Sequence, residues 1–240
     1  MALPAFRFKK FEVKQEGAVH PVGTDAVLLG SWADVSGVRQ FLDIGTGTGV
    51  ISLITAQRLS DAGAQWQGIG VEMHQGSAEL ARENFAASPW ASHLGVQTCA
   101  IQHLSGIAPA SFDLVISNPP FFSETTVSPD ATRSLGRHTA SLSPVDLLLA
   151  VQKWMSPEGR CCLILPAQEG YRLCELAVPM GLYWTKIVEV HAKSEKPVER
   201  LLIQLERNPY PIQRQKMFLH LAGQLSEAFR MLTRNFYLAG

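Results

Sequence analysis

Two hydrophobic rhythms alternate along this chain. Short apolar runs such as the one ending at Ile44, the one at 112–117 and the one at 160–165 have strand character, and the stretches between them space their apolar residues by three and four, as helices do. Strands are predicted at about 39–44, 67–72, 95–100, 112–117, 160–165, 184–191 and 199–205. Helices are predicted at about 50–60, 76–87, 143–154 and 169–178. Such alternation predicts a doubly wound α/β sheet of seven strands. Only the polar turn Lys193 to Pro197 separates the last two strands, which leaves no room for a crossover helix and predicts an antiparallel edge pair. A final helix is predicted at about 226–236, where Leu225, Phe229, Leu232 and Phe236 fall at helical spacing as a core-facing stripe. No repeat or low-complexity linker divides the chain. One domain over residues 1–240 is expected, with a core at 38–206 and extensions at 1–37 and 207–240.

Two predicted strands run into segments of unusual composition. The first leads into Asp43-Ile44-Gly45-Thr46-Gly47-Thr48-Gly49-Val50 and then a predicted helix. Alternating glycines let the backbone approach a ligand closely and adopt positive φ, and the helix behind the turn presents free N–H groups. A dinucleotide fingerprint would place its third glycine three residues after the second; here the spacing is GxGxG. Asp43 suits a ligand that brings an ammonium group to the strand end, as S-adenosylmethionine (SAM) does, better than a pyrophosphate, which it would repel. Glu72 closes the next strand, where an acid in such a fold takes the two hydroxyls of a ribose.

The second segment, Asn118-Pro119-Pro120-Phe121, comes about seventy residues later and follows the strand at 112–117. It therefore lies at a carboxyl end of the sheet, where open α/β folds bind ligands. An exocyclic amine conjugated to an aromatic ring is a poor nucleophile, because its lone pair is delocalised. The Asn118 side-chain oxygen and the Pro119 carbonyl are two acceptors for one NH2 group, the prolines stiffen them, and Phe121 offers a ring on which a flat base stacks. Each motif alone has a plain alternative as a structural turn. Together they predict methyl transfer to a planar amine.

Composition narrows this reading. Length suits one α/β domain with a single core. Apolar runs such as Leu147 to Val151 are too short to cross a bilayer, and residues 1–15 carry no apolar signal segment, so a soluble, cytoplasmic protein is expected. Cys99, Cys161, Cys162 and Cys174 show no C-x-x-C spacing and are expected to be reduced core thiols, the adjacent pair pointing to opposite faces of its strand. Seven histidines without H-x-x-x-H or H-x-E spacing predict no metal site. The formal net charge is zero, but its distribution is uneven: residues 41–124 carry two Lys/Arg against seven Asp/Glu, and residues 125–240 carry fourteen against ten. Lys9, Lys10 and Lys14 near one end, with Arg133, Arg137, Lys193, Lys196, Arg200, Arg207, Arg214, Lys216, Arg230 and Arg234 near the other, are candidates for a phosphate path or for an ordinary solvated surface.

These residues resemble the class I SAM-dependent methyltransferases, which implies a Rossmann-like mixed sheet. Asn118 to Phe121 resembles the branch that methylates adenine N6, guanine N2 or glutamine N5. Phe6-Arg7-Phe8-Lys9-Lys10-Phe11, Val22 to Gly30, Ser88-Pro89-Trp90-Ala91, Ser226-Glu227-Ala228 and Phe236-Tyr237-Leu238 carry the likeness further, to the bacterial valine-tRNA (adenine-37) N6-methyltransferase family, over nearly the whole chain. The resemblance implies SAM as cofactor and a valine tRNA as partner, methylated on the adenine 3′ of the anticodon. It assigns Asp43, Gly45, Gly47 and Gly49 to the methionine end of SAM, Glu72 to its ribose, and Asn118, Pro119, Pro120 and Phe121 to the target base. Thr24 and Asp25 belong to the segment that folds over the cofactor. Ala100 departs from the pattern, since the family commonly has an Asp there beside the cofactor adenine; Gln102 or a backbone group is the expected substitute. A monomer without metal or membrane partner is expected. Guanine N2 of ribosomal RNA and a protein glutamine are alternative acceptors. A non-catalytic SAM-binding module would have no use for an amine clamp.

Overall fold

The computed structural model describes residues 4–120 and 142–238; Phe121, Arg133 and Arg137 lie outside the described residues. A short hairpin, β1 (Phe6–Arg7) and β2 (Glu12–Val13), precedes α1 (Thr24–Trp32). Then come β3 (Gln40–Ile44), α2 (Val50–Asp61), β4 (Gln67–Glu72), α3 (Gln75–Ala86), β5 (Leu94–Thr98) and β6 (Phe112–Ser117). The C-terminal half holds α4 (Pro144–Trp154), β7 (Met155–Pro166), α5 (Ala167–Ala177), β8 (Tyr183–Lys193), β9 (Val198–Glu206), β10 (Gln213–Leu221), β11 (Gln224–Leu225) and α6 (Glu227–Thr233).

The main sheet has the order β5-β4-β3-β6-β7-β9-β8-β10-β11. Strands β3 to β7 are mutually parallel, β9 is antiparallel to β7 and β8, and β10 is parallel to β8. The doubly wound architecture is as predicted, with nine strands in the main sheet among the described residues instead of seven. The β8–β9 pair is antiparallel as predicted, but it is not the edge, because β10 and β11 extend the sheet beyond β8. The first half of β10, Gln213-Arg214-Gln215-Lys216, is exposed on both faces and so lacks an apolar period. Helix α1 escaped pattern reading for the opposite reason: Ala26 to Ser31 are all buried, which removes the polar face that a helical period needs. The C-terminal helix is shorter than predicted, and Leu225, in β11, is exposed instead of core-facing.

Local chemistry fixes several boundaries. Ser143 caps α4 in a reciprocal box with Asp146, with Pro144 in the first turn, where a missing N–H costs nothing. Ser226 caps α6 by accepting from the Phe229 amide at 3.1 Å. Two cores flank the sheet. One packs α1 and α2 through Leu29, Leu53 and Ile54, and the other packs α4 and α5 through Leu147, Val151 and Leu173. Cys161 joins the second core and Cys162 the first, the opposite orientation predicted for adjacent strand residues. Strand order reverses between β3 and β6, so the segments that follow them lead to helices on opposite faces of the sheet and a crevice opens at the carboxyl ends.

Candidate functional site

A cleft of about 440 Å³ occupies that crevice, a size suited to a small ligand. Its floor is the turn between β3 and α2. Gly45, Gly47 and Gly49 hold φ of 73°, 56° and 82°, a region that side chains disfavour. A Cβ on Gly45 or Gly47 would meet no atom within 4 Å, whereas one on Gly49 would strike the Phe85 ring. The loop is therefore open toward the cleft and closed toward α3.

Asp43 sits behind this floor, fully buried. Its Oδ2 accepts from Thr46 Oγ1 and Ser52 Oγ, each at 2.7 Å, which fastens the turn to α2. Burial pushes its carboxyl up to about 6, against the Ser52 and Thr46 bonds that favour the charged form. Oδ1 is buried with no hydrogen-bond partner among the described residues. An unfilled buried acceptor beside a glycine turn suits a ligand that carries a cationic donor.

Glu72, at the end of β4, borders the cleft. Its Oε2 accepts from the Gly47 amide at 3.0 Å and its Oε1 from the His74 amide at 2.9 Å. Met73 and His74 continue the wall, and His74 caps α3. Beyond β5, Ala100, Ile101 and Gln102 border the same space, with Ile101 buried and Gln102 exposed. On the other side Asn118, Pro119 and Pro120 follow β6. Ser117 Oγ donates to the Ile44 carbonyl at 2.7 Å, which locks the base of this segment to the start of the glycine turn.

Ala18, Val19, His20 and Pro21 line the cleft from the N-terminal segment, a contribution that no pattern in the sequence marks. Gln15 holds this segment in place: its Oε1 accepts from the Val22 amide at 3.0 Å, and its Nε2 donates to the Pro4 carbonyl at 2.8 Å.

Known proteins resemble this chain in sequence and in fold. A family model described as "Methyltransferase small domain" matches residues 23–145. A tRNA1(Val) (adenine(37)-N6)-methyltransferase of Aliivibrio fischeri is 39% identical over 236 residues, covering 98% of this chain and 97% of that protein. One from Trichodesmium erythraeum is 35% identical over 234 residues, covering 97% of each. The chain belongs to the tRNA1(Val) (adenine(37)-N6)-methyltransferase family. Among solved structures, a protein of Agrobacterium tumefaciens described as a predicted O-methyltransferase superposes with a TM-score of 0.68 at 20% identity, over 88% of this chain and 96% of that one. This likeness is one of fold.

Within the tRNA1(Val) (adenine(37)-N6)-methyltransferase family fold, the residues singled out from sequence converge on one crevice, with differences in their placement. Gly45, Gly47, Glu72, Asn118, Pro119 and Pro120 border the cleft, while Asp43 and Gly49 act from behind it. Thr24 and Asp25 open α1, and of that first turn it is Ala26 that borders the cleft. Asp25 is paired instead with Arg200 of β9, at 2.8 Å. Phe121 falls outside the described residues.

Of the basic candidates, Lys10 pairs with Asp61 and Lys14 with Glu83. Asp61 closes α2, roughly 17 Å along the helix from the cleft. Lys9 donates to the Arg234 carbonyl, and Arg207 to the carbonyls of Gln152 and Met155. No helix among the described residues is long and apolar enough to cross a membrane.

Proposed function

We propose that this chain, working as a single catalytic domain in the cytoplasm, transfers the methyl group of SAM to the N6 amine of an adenine in RNA, the adenine at position 37 of a valine tRNA. The observation that carries this reading is the meeting, in one cleft, of Asn118 and Pro119 with the glycine turn and Glu72. The relatives' names supply the acceptor.

SAM, when bound, supplies an electrophilic methyl group; its transfer forms the N–C bond, breaks the S–C bond and leaves a neutral thioether. The glycine turn and the Oδ1 atom of Asp43 receive the methionine end. Glu72 accepts from the ribose hydroxyls, its oxygens already oriented by the Gly47 and His74 amides. The Asn118 side-chain oxygen and the Pro119 carbonyl accept from the adenine amine and turn its lone pair toward the methyl group, and Phe121 stacks on the base. No strong general base is needed, because the amine's proton leaves to water once the nitrogen is alkylated. Orientation supplies most of the acceleration.

Labelled methyl transfer from SAM, offered unmodified tRNA and total protein side by side, tests the reading. N6-methyladenosine in the tRNA is expected, and its loss from a transcript with guanine at position 37. Label confined to protein would replace this reading with glutamine methylation.

A further inference from the structure

The sheet's far end carries a surface that the cleft chemistry does not use. Helix α5 packs over β7, β9 and β8 on the side that bears Ile187 and Ile203. On that side β10 presents every second residue: Arg214, Lys216, Phe218 and His220. Met217 and Leu219 turn to the opposite core. The Arg214 guanidinium lies over the Trp184 ring at 5.0 Å, and the Phe218 and His191 rings are 5.0 Å apart. His191 Nδ1 meets the Lys196 carbonyl at 2.9 Å, which fixes the hairpin turn between β8 and β9.

Charge separates this face from the N-terminal hairpin. Lys193, Arg214 and Lys216 are exposed, and none lies within 4.0 Å of a carboxylate among the described residues, whereas Lys10 and Lys14 are both paired. Glu189, the cross-strand neighbour of Lys216, is engaged by the Tyr171 hydroxyl at 2.8 Å. Both β8 and β10 run parallel to β6, so Lys193 ends its strand at the same sheet edge as Asn118. Three and four strand spacings from β6 place the two strands roughly 14 and 19 Å from the amine clamp.

We propose that this face of β8 and β10, with Lys193, Arg214 and Lys216 around the Phe218–His191 ring pair, docks the RNA while the target adenine enters the cleft. The inference rests on the RNA reading above and adds where the RNA is held. Exposed cations suit phosphates, and the half-buried Phe218 ring, backed by the buried His191, leaves part of its face for an unpaired base. An adenine pulled from its stack costs a few kcal/mol, which contacts remote from the clamp must offset. Charges on an edge strand also discourage strand addition, but that role calls for neither Lys193 nor the ring pair.

The test is tRNA binding by the full chain across roughly 50 to 200 mM salt, together with steady-state kinetics. The triple variant Lys193→Gln, Arg214→Gln, Lys216→Gln is expected to lower the slope of log affinity against log salt by about 2. It should raise KM for tRNA roughly tenfold or more, with kcat at saturating tRNA and the affinity for SAM unchanged. Phe218→Ala is expected to weaken binding about tenfold without changing the slope. An unchanged slope in a triple variant that still binds SAM overturns the docking face; if the wild type methylates tRNA in the same experiment, the functional reading survives that failure. A wild type that neither binds nor methylates tRNA overturns both. A wild-type dimer that the triple variant dissociates, with RNA affinity intact, reassigns the face to self-association.

Discussion

The Gly47 amide donates to Glu72 Oε2 at 3.0 Å, so the glycine turn and the acid at the end of the neighbouring strand form one unit. Each fixes the other: the turn aims the carboxylate, and the carboxylate satisfies an amide that the turn leaves without a helical partner. Cofactor affinity and loop order are therefore coupled.

Glu72→Ala removes this contact together with the two proposed ribose bonds. Hydrogen bonds to a charged group contribute about 1.5–3 kcal/mol, so SAM affinity is expected to fall roughly tenfold to a hundredfold. Glu72→Gln keeps an acceptor for one amide and should lose less. Calorimetric titration of both variants with SAM checks the order, and equal affinity in wild type and Glu72→Ala would remove Glu72 from the site.

Asp43 links SAM binding to pH. Its carboxyl titrates near 6 in the folded chain, above the ordinary value of 3.8, chiefly because it is buried. The folded state thus holds this proton more tightly than the unfolded chain does. The contribution to stability is fully present below about 4 and is lost as pH rises through about 6. A bound ammonium favours the carboxylate, so SAM should bind more tightly as pH rises from 5 to 7, releasing a proton near pH 6. Calorimetry in buffers of different ionisation enthalpy measures that proton. Asp43→Asn should abolish the release, and a release that persisted in this variant would assign the proton elsewhere.

The two motifs were legible because glycines and prolines at strand ends carry their meaning locally. Asp43, Glu72 and Asn118 could each be placed at a strand end without knowing which strands are neighbours. The wall formed by residues 18–21 was invisible, since Gln15 and Val22 close it through a single side-chain bond across seven residues and no period marks them. Position also misled where side-chain direction decided the outcome. Asp25 stands next to a cleft residue, Ala26, yet points to Arg200. Strand β10 escapes pattern reading because half of it is exposed on both faces, although its Arg214 and Lys216 are among the basic residues that the sequence offers for a phosphate path or a solvated surface.

Asn118→Ala is expected to lower kcat about a hundredfold or more with SAM affinity nearly intact. One oriented acceptor at a reacting amine contributes about 3–4 kcal/mol, and it acts on the base instead of the cofactor. Single-turnover transfer to tRNA, beside a SAM titration, separates the two effects. Near-wild-type turnover in this variant would discard the amine clamp.

The ion pair between Asp25 and Arg200, at 2.8 Å with each side chain about three-quarters covered, ties the start of α1 to β9. Just ahead of α1 lies the segment from Ala18 to Pro21 that lines the cleft, so the pair helps to fix where that segment meets the helix. Neither residue borders the cleft, and losing the pair should act on cofactor binding by loosening the wall. Arg200→Ala and Asp25→Ala are each expected to weaken SAM by about threefold to tenfold, with kcat at saturating SAM unchanged. Contacting residues couple by about 0.5–3 kcal/mol, so the double variant should bind SAM only slightly worse than either single one. A double-mutant cycle on SAM affinity measures that coupling directly and leaves aside the other contacts Arg200 makes. Strictly additive losses would mean that the two residues act separately, and a fall in kcat alone would place Asp25 in the chemistry instead of in the architecture of the wall.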